Sequence, residues 1–176
     1  MSAAVPFFTR HYGVTAADCE RYLAAALGRG GDYADLYFEH EATSSLTLEE
    51  GMVKSAAQGI SLGVGVRVLS GERTGYAYTD DLAPEKILRA AEVAAHIASG
   101  AARTRIAGLS RTEPGRNLYG LPQAPTDAGM LAKLALVRRA EQAARGHDPR
   151  MVQGRVGYAD ELRQVWVVSS DGGSSA

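Results

Sequence analysis

The chain has 176 residues, of which 45% are hydrophobic and 22% charged, with a formal net charge of -1. That is enough to bury one substantial core, while the near-neutral balance gives no field that would draw the chain onto nucleic acid or an anionic membrane. No run approaches the roughly 18 apolar residues of a membrane span. The start Met-Ser-Ala-Ala-Val-Pro-Phe-Phe lacks the charged onset and apolar run of a secretory signal, so a cytoplasmic protein is the expectation.

Thr15 is a suitable N-cap, and Cys19, Tyr22, Leu23, Ala26 and Leu27 follow at the spacing of one helical face until Gly28 and the Gly30-Gly31 pair stop the helix. The lone Cys19 has no intramolecular partner, and its alanine-rich helix predicts a buried, inert thiol. Ala34, Leu36 and Phe38 then alternate with Asp35, Tyr37 and Glu39 as a half-buried strand. Leu46 and Leu48 predict a second strand, and Gly51 turns the chain into a third near Met52 to Ala57. Ile60, Leu62, Val64, Val66 and Val68 give the cleanest period of two. Their opposite face carries Ser61, Gly63, Gly65 and Arg67, and paired strand glycines mark a bulge or the close approach of another group. Ser70-Gly71-Glu72 predicts a hairpin into Gly75-Tyr76-Ala77-Tyr78.

Pro84 and Glu85 open a second helix that presents Ile87, Leu88, Ala91, Ala95 and Ala98 on one face up to Gly100. Periodicity fails from 101 to 125, an irregular connection longer than compact domains commonly hold. Thr126 predicts the cap of a third helix to about Arg145, followed by strands at 151–158 and 162–169 joined at Asp160-Glu161, and a loose tail at 171–176. The expected fold is α+β: one domain over 1–176, mainly an antiparallel sheet with helices packed on one face. Within it, helix, strands and helix fill 10–100, the irregular connection 101–125, and a helix with a strand hairpin 126–170.

Local matches to catalytic motifs fail on geometry. Gly59-Ile60-Ser61-Leu62-Gly63 fits G-x-S-x-G, with Asp80, Asp81 and His96 in a permitted order, but a nucleophilic serine needs a strand-to-helix elbow and a strand continues here. A serine hydrolase is thereby discounted. His40-Glu41 begins like H-E-x-x-H, yet Ser44 stands where the second histidine belongs, and His11, His96 and His147 fall in other elements. Glu49-Glu50, Asp80-Asp81 and Asp160-Glu161 are adjacent carboxylates at expected turns or element ends, where neighbours point apart and are solvated. Gly63-x-Gly65 precedes a strand and makes no dinucleotide fingerprint. Trp166 alternates with Gln164 and Val168 as a core or interface aromatic, in preference to a ligand platform. Read residue by residue, the chain supplies no catalytic, cofactor-binding or metal residue.

The stretches Asp35-Leu36-Tyr37-Phe38, Gly63-Val64-Gly65-Val66-Arg67, Ser70-Gly71-Glu72-Arg73-Thr74-Gly75 and Val167-Val168-Ser169-Ser170-Asp171-Gly172 resemble the N-terminal domain of the TldD/PmbA (TldE) zinc metallopeptidase family, on its TldD side. This family carries the older label modulator of DNA gyrase. The resemblance implies a cytosolic peptidase that works with a TldE/PmbA-like subunit and trims unfolded or flexible peptides. It also implies that zinc is held by an H-E-x-x-x-H helix in a C-terminal domain absent from this chain, so that the chain binds no metal and is inactive alone. The alternative is a non-catalytic module that takes an extended peptide along its sheet edges.

Overall fold

The computed structural model describes residues 7–99, 107–111, 122–148 and 150–175. Its elements in chain order are α1 (Phe7–Tyr12), α2 (Ala16–Leu27), β1 (Tyr33–Glu49), β2 (Met52–Ser70), β3 (Arg73–Thr79) and α3 (Pro84–Ala98), then β4 (Ser110–Arg111), α4 (Met130–His147), β5 (Arg155–Ser169) and β6 (Gly173–Ser175). The strands form one sheet in the order β3-β2-β1-β5-β6-β4, antiparallel where β2 meets β3 and β5 meets β6, with the two-residue β4 parallel to β6. The α+β expectation holds, with helices packed against an antiparallel sheet. The chain separates into two compact units, Met1–His40 with Ser61–Asn117 and Gln164–Ala176, and Glu41–Ile60 with Leu118–Arg163.

In the first unit, Leu36 and Phe38 of β1 and Val64, Val66 and Val68 of β2 are buried on the sheet face that meets the helices. Each such side chain contributes about 1.5–3 kcal/mol through removal from water. Tyr22, Leu23 and Leu27 of α2 and Ile87, Ala91, Ala94 and Ala98 of α3 complete this core. The α2 start is a reciprocal capping box: Thr15 Oγ1 accepts from the Asp18 amide at 3.2 Å, and Asp18 Oδ2 accepts from the Thr15 amide at 3.1 Å. α3 begins at Pro84 as expected and lies against β3, its alanines letting helix and strand backbones approach closely. Of the two expected places for Trp166, core or interface, the structure gives the core. Trp166 stacks on Phe38 at 5.3 Å and Phe8 at 6.4 Å, and its Nε1 donates to Ser174 Oγ at 3.0 Å.

The second unit has a smaller core in which Leu46, Leu48 and Val137 are packed by Met130, Leu134, Val156 and Tyr158. Its β1–β2 turn is Glu50-Gly51, both at positive φ (52° and 76°), the backbone a two-residue hairpin demands. The Gly51 amide donates to Glu141 Oε1 of α4 at 2.8 Å, fixing the turn.

Several boundaries differ from the sequence expectation. The first two expected strands are one, β1, and the next two are one, β2, because the intervening polar residues stay extended without a turn-forming pair. β5 likewise runs unbroken through Asp160-Glu161. Ile60 is 73% exposed, so the buried face of β2 starts at Val64 although the alternation starts earlier. The third expected helix does not start at Thr126, which sits in a 3-10 turn at Pro125–Asp127; α4 begins after Gly129. Phe7–Tyr12 is a helix the pattern did not predict, and the expected loose tail contains β6, held by Ser174 and by pairing on both sides. Most of the 101–125 connection lies outside the described residues.

Candidate functional site

The sheet face of the first unit that is turned away from α2 and α3 carries a groove lined by tyrosines. Tyr37 and Glu39 of β1, Gly63 and Gly65 of β2, and Tyr76 and Tyr78 of β3 line an open groove of about 310 Å³, with Ser61, Thr79 and Asp80 at one end. Residues two apart on a strand share a face, so the alternation that buries Leu36 and Phe38 places Tyr37 and Glu39 here. Tyr37, Tyr76 and Tyr78 are 41%, 57% and 76% exposed.

The floor is low because β2 presents glycines. A Cβ built on Gly65 would stand 2.7 Å from the Tyr76 hydroxyl and 3.1 Å from its ring, so the Tyr76 side chain lies across the space that a larger residue would fill. At Gly63 the corresponding Cβ would approach the Thr79 carbonyl at 3.1 Å. The sequence expectation of close approach at these glycines is met, with a tyrosine and a neighbouring strand as the approaching groups.

Polar contacts stiffen the same face. Tyr37 Oη donates to Glu39 Oε2 at 2.8 Å. Arg67 Nε donates to the largely buried Asp35 Oδ2 at 2.9 Å, and Nη2 makes a second contact to that oxygen. This hydrogen bond, reinforced by the Asp35 charge, raises the Arg67 pKa. Burial and then the Asp35 carboxylate push the Tyr33 phenol above its ordinary range. The groove therefore offers aromatic faces, hydroxyls and carboxylates, which equips it to bind and not to attack.

The residues weighed in the sequence scatter. Ser61 is an exposed strand residue with β2 continuing beyond it, so no elbow forms. His40 packs its ring near Phe7 at 5.1 Å and Tyr12 at 6.1 Å, and Glu41 pairs with Arg163 at 2.8 Å, so neither resembles a zinc-motif residue. Asp81 Oδ1 accepts from the Ala83 amide at 2.9 Å in the turn before α3. Cys19 is fully buried, and burial, then the Asp18 and Glu20 charges, push its thiol up to about 12. Among the described residues no three His, Cys, Asp or Glu side chains gather as a metal site would require. These residues do not fit the zinc that the sequence resemblance implies.

Asp160 is the correction among the carboxylates. It is not a solvated turn residue: it sits within β5 with its side chain 6% exposed, 2.6 Å from Lys133 Nζ, while Lys133 donates to Ser44 Oγ at 2.7 Å. Burial alone would raise the Asp160 carboxyl. Hydrogen bonds from Lys133, Tyr158 and Ser44, with the Lys133 charge, outweigh it and hold the pKa below the usual value. A serine–lysine pair can run hydrolysis only if the amine is free to take the serine proton, and this amine is ion-paired with Asp160 and donates to the serine Oγ. The set is structural. Its signal in the sequence was a lysine at 133, four residues before Val137 and eight before Glu141 on the inward stripe of α4, which reads as polar surface until a partner is known.

Comparison with known proteins agrees with the architecture. The family profile PmbA/TldA metallopeptidase domain 1 matches residues 34–98, and PmbA/TldA metallopeptidase central domain matches 124–175. The metalloprotease TldD homolog of Buchnera aphidicola subsp. Schizaphis graminum is 30% identical over 142 residues, covering 80% of this chain and 29% of that protein. The homolog from Haemophilus influenzae is 30% identical over 152 residues, covering 82% and 30%. The chain thus spans about three tenths of the length of the curated relatives it matches. Among solved structures, a Thermotoga maritima protein provisionally named as a modulator of a DNA gyrase superposes with a TM-score of 0.68 at 19% identity, over 90% of this chain and 36% of that one. TldE from Thermococcus kodakarensis gives 0.58 at 21%, over 89% and 36%. At those identities the likeness is one of fold.

Proposed function

The chain belongs to the PmbA/TldD metallopeptidase family, and from that premise we propose that it is the N-terminal portion of a TldD-type zinc peptidase that trims unfolded or flexible peptides in the cytoplasm. In this reading both compact units form the non-hydrolytic part of the enzyme, which shapes the substrate chamber and meets a TldE/PmbA-like subunit. The metal centre belongs to sequence outside these residues. Hydrolysis by this chain alone is not expected, and neither is direct nucleic-acid contact at a net charge of -1.

The observation that carries the reading is the groove over Gly63 and Gly65. An extended peptide is flat, and the two glycines let the Tyr76 ring lie low over β2, which keeps the face shallow enough for a peptide backbone to pass above it. Side chains of the peptide then meet the faces of Tyr37, Tyr76 and Tyr78, which offer large contact area and a hydroxyl at the rim. Nothing in such a site selects a single sequence, which suits flexible peptides as a class.

The test uses the 176-residue chain and a fluorescent unstructured peptide. The chain should bind the peptide without cleaving it, and Gly65→Val should abolish binding while leaving the melting temperature nearly unchanged, because the displaced Tyr76 is exposed and can swing away. Unaltered binding by Gly65→Val would remove the groove from the account. Stoichiometric zinc uptake with chelator-sensitive cleavage would refute the non-hydrolytic role. The same groove supports a second reading, a peptide-binding module without catalysis. A downstream H-E-x-x-x-H segment in the same reading frame would decide against it.

A further inference from the structure

The groove over Gly63 and Gly65 is chemically uneven along its length. Beside one end Asp35 is matched by Arg67, whose Nε donates to Asp35 Oδ2 at 2.9 Å, so those two charges offset each other. At the other end stand Glu39 and Asp80. The hydrogen bond from Tyr37 Oη, at 2.8 Å, holds Glu39 in place. The register that sets Gly65 beside Tyr78 brings Asp80 beside Gly63 two residues on. A Cβ built on Gly63 would lie 3.9 Å from the Asp80 Cα; with glycine there, β2 raises no side chain beside this acid. Asp80 and Leu62 are shared with a second hollow that also takes in Asp81 and Tyr12. Among the described residues, no lysine, arginine or histidine lines either hollow.

Arg67 does not offset the acidic end. It sits opposite Tyr76, four residues along the chain from Asp80, or about 13 Å. That is beyond the screening length of about 8 Å at physiological ionic strength. The tyrosines add to the same preference, because a cation is attracted to the face of an aromatic ring within about 6 Å of its centroid, and Tyr76 and Tyr78 are exposed beside the acids. The chain as a whole carries a net charge of only -1, so this pull on a cation is local to the groove. On the footing of the peptide groove described above, we propose that the groove selects its peptides by charge. It takes segments that carry arginine or lysine, with the basic side chain laid along Tyr78 and its charged head at Asp80 and Glu39. Segments with an acidic side chain at that place are repelled. The selection is of a class of peptide, not of one sequence.

The experiment compares three fluorescent unstructured peptides on the 176-residue chain, identical except for a central arginine, glutamine or glutamate. A guanidinium that gains an aromatic face and an exposed carboxylate together should bind roughly three- to thirtyfold tighter than glutamine. The glutamate peptide should bind weakest. Salt at about 1 M, where the screening length falls to about 3 Å, should shrink the gap between arginine and glutamine. Asp80→Asn, an exposed change that keeps the side chain's shape, should narrow it, and adding Glu39→Gln should narrow it further. Equal affinity for the three peptides, with Gly65→Val still abolishing binding, overturns the charge selection and leaves the peptide groove standing. An undiminished gap in the chain with both substitutions overturns the assignment to these acids. Binding of none of the three removes the groove itself, and this inference with it. Should either substitution lower the melting temperature, the ranking of the three peptides on the parent chain decides alone.

Discussion

Gly75 is where the fold has least room, and replacing it should show how α3 is held. A Cβ at this position would lie 2.0 Å from the Ala94 carbonyl oxygen and 2.9 Å from the Ala98 nitrogen, both backbone atoms of α3. That is about 1 Å inside the shortest separation real Cβ atoms show, and neither backbone can rotate away as a side chain could. Gly75→Ala therefore forces α3 off β3. A gap of 0.5–1 Å forfeits roughly a quarter to a half of each dispersion contact, and Ile87, Ala91 and Ala94 would share that loss over the core. Overpacking of this kind costs about 1–3 kcal/mol. The lower entropy of an unfolded chain with alanine returns about 0.4–1 kcal/mol, for a net loss of about 1.3 kcal/mol. With a urea dependence of about 1–3 kcal/mol/M, the unfolding midpoint should fall by roughly 0.6 M. Gly157→Ala is the control, because a Cβ there meets nothing within 4 Å, and its stability should stay within about 0.5 kcal/mol of the parent. An unchanged midpoint for Gly75→Ala would refute the close-approach argument, as would an equal loss in Gly157→Ala.

Lys133→Met should leave the Asp160 carboxylate buried without its cation and cost about 3–5 kcal/mol, most of which Lys133→Met with Asp160→Leu should restore; thermal melts of the three chains check this. Because the folded Asp160 pKa lies below the ordinary aspartate value of 3.8, the pair's contribution is complete above that value and fades as the pH falls through the lower folded value; acid unfolding of Asp160→Asn should lack that component. Cys19, with its thiol raised to about 12, should resist alkylation in the native chain and react only on unfolding, and rapid native labelling would contradict its burial.

The elements that could be read from the sequence were those whose pattern and burial coincide. Thr15 caps α2 as expected because its partner Asp18 lies three residues on, within the same local segment. The tyrosine groove was half legible: Gly63 and Gly65 stood out, but the residues above them come from β1 and β3, and only the pairing of strands brings Tyr37 and Tyr76 to the same place. Asp160 was misread because a turn and a continuous strand look alike where polar residues meet, and its lysine is distant in sequence. Ile60 shows the opposite failure. Its alternation with Val64 is perfect, yet it is left largely exposed.

The chain contains a single tryptophan, and Trp166 is only 3% exposed, ringed by Phe8, Phe38 and Ser174. All four residues belong to the first unit. Its fluorescence consequently reports the melting of that unit and is blind to α4 and the Glu50-Gly51 hairpin, whose backbone dominates the circular dichroism of the second. Coincident curves from the two signals would mark one cooperative transition; a dichroism change that precedes the indole's red shift would show the smaller core failing first.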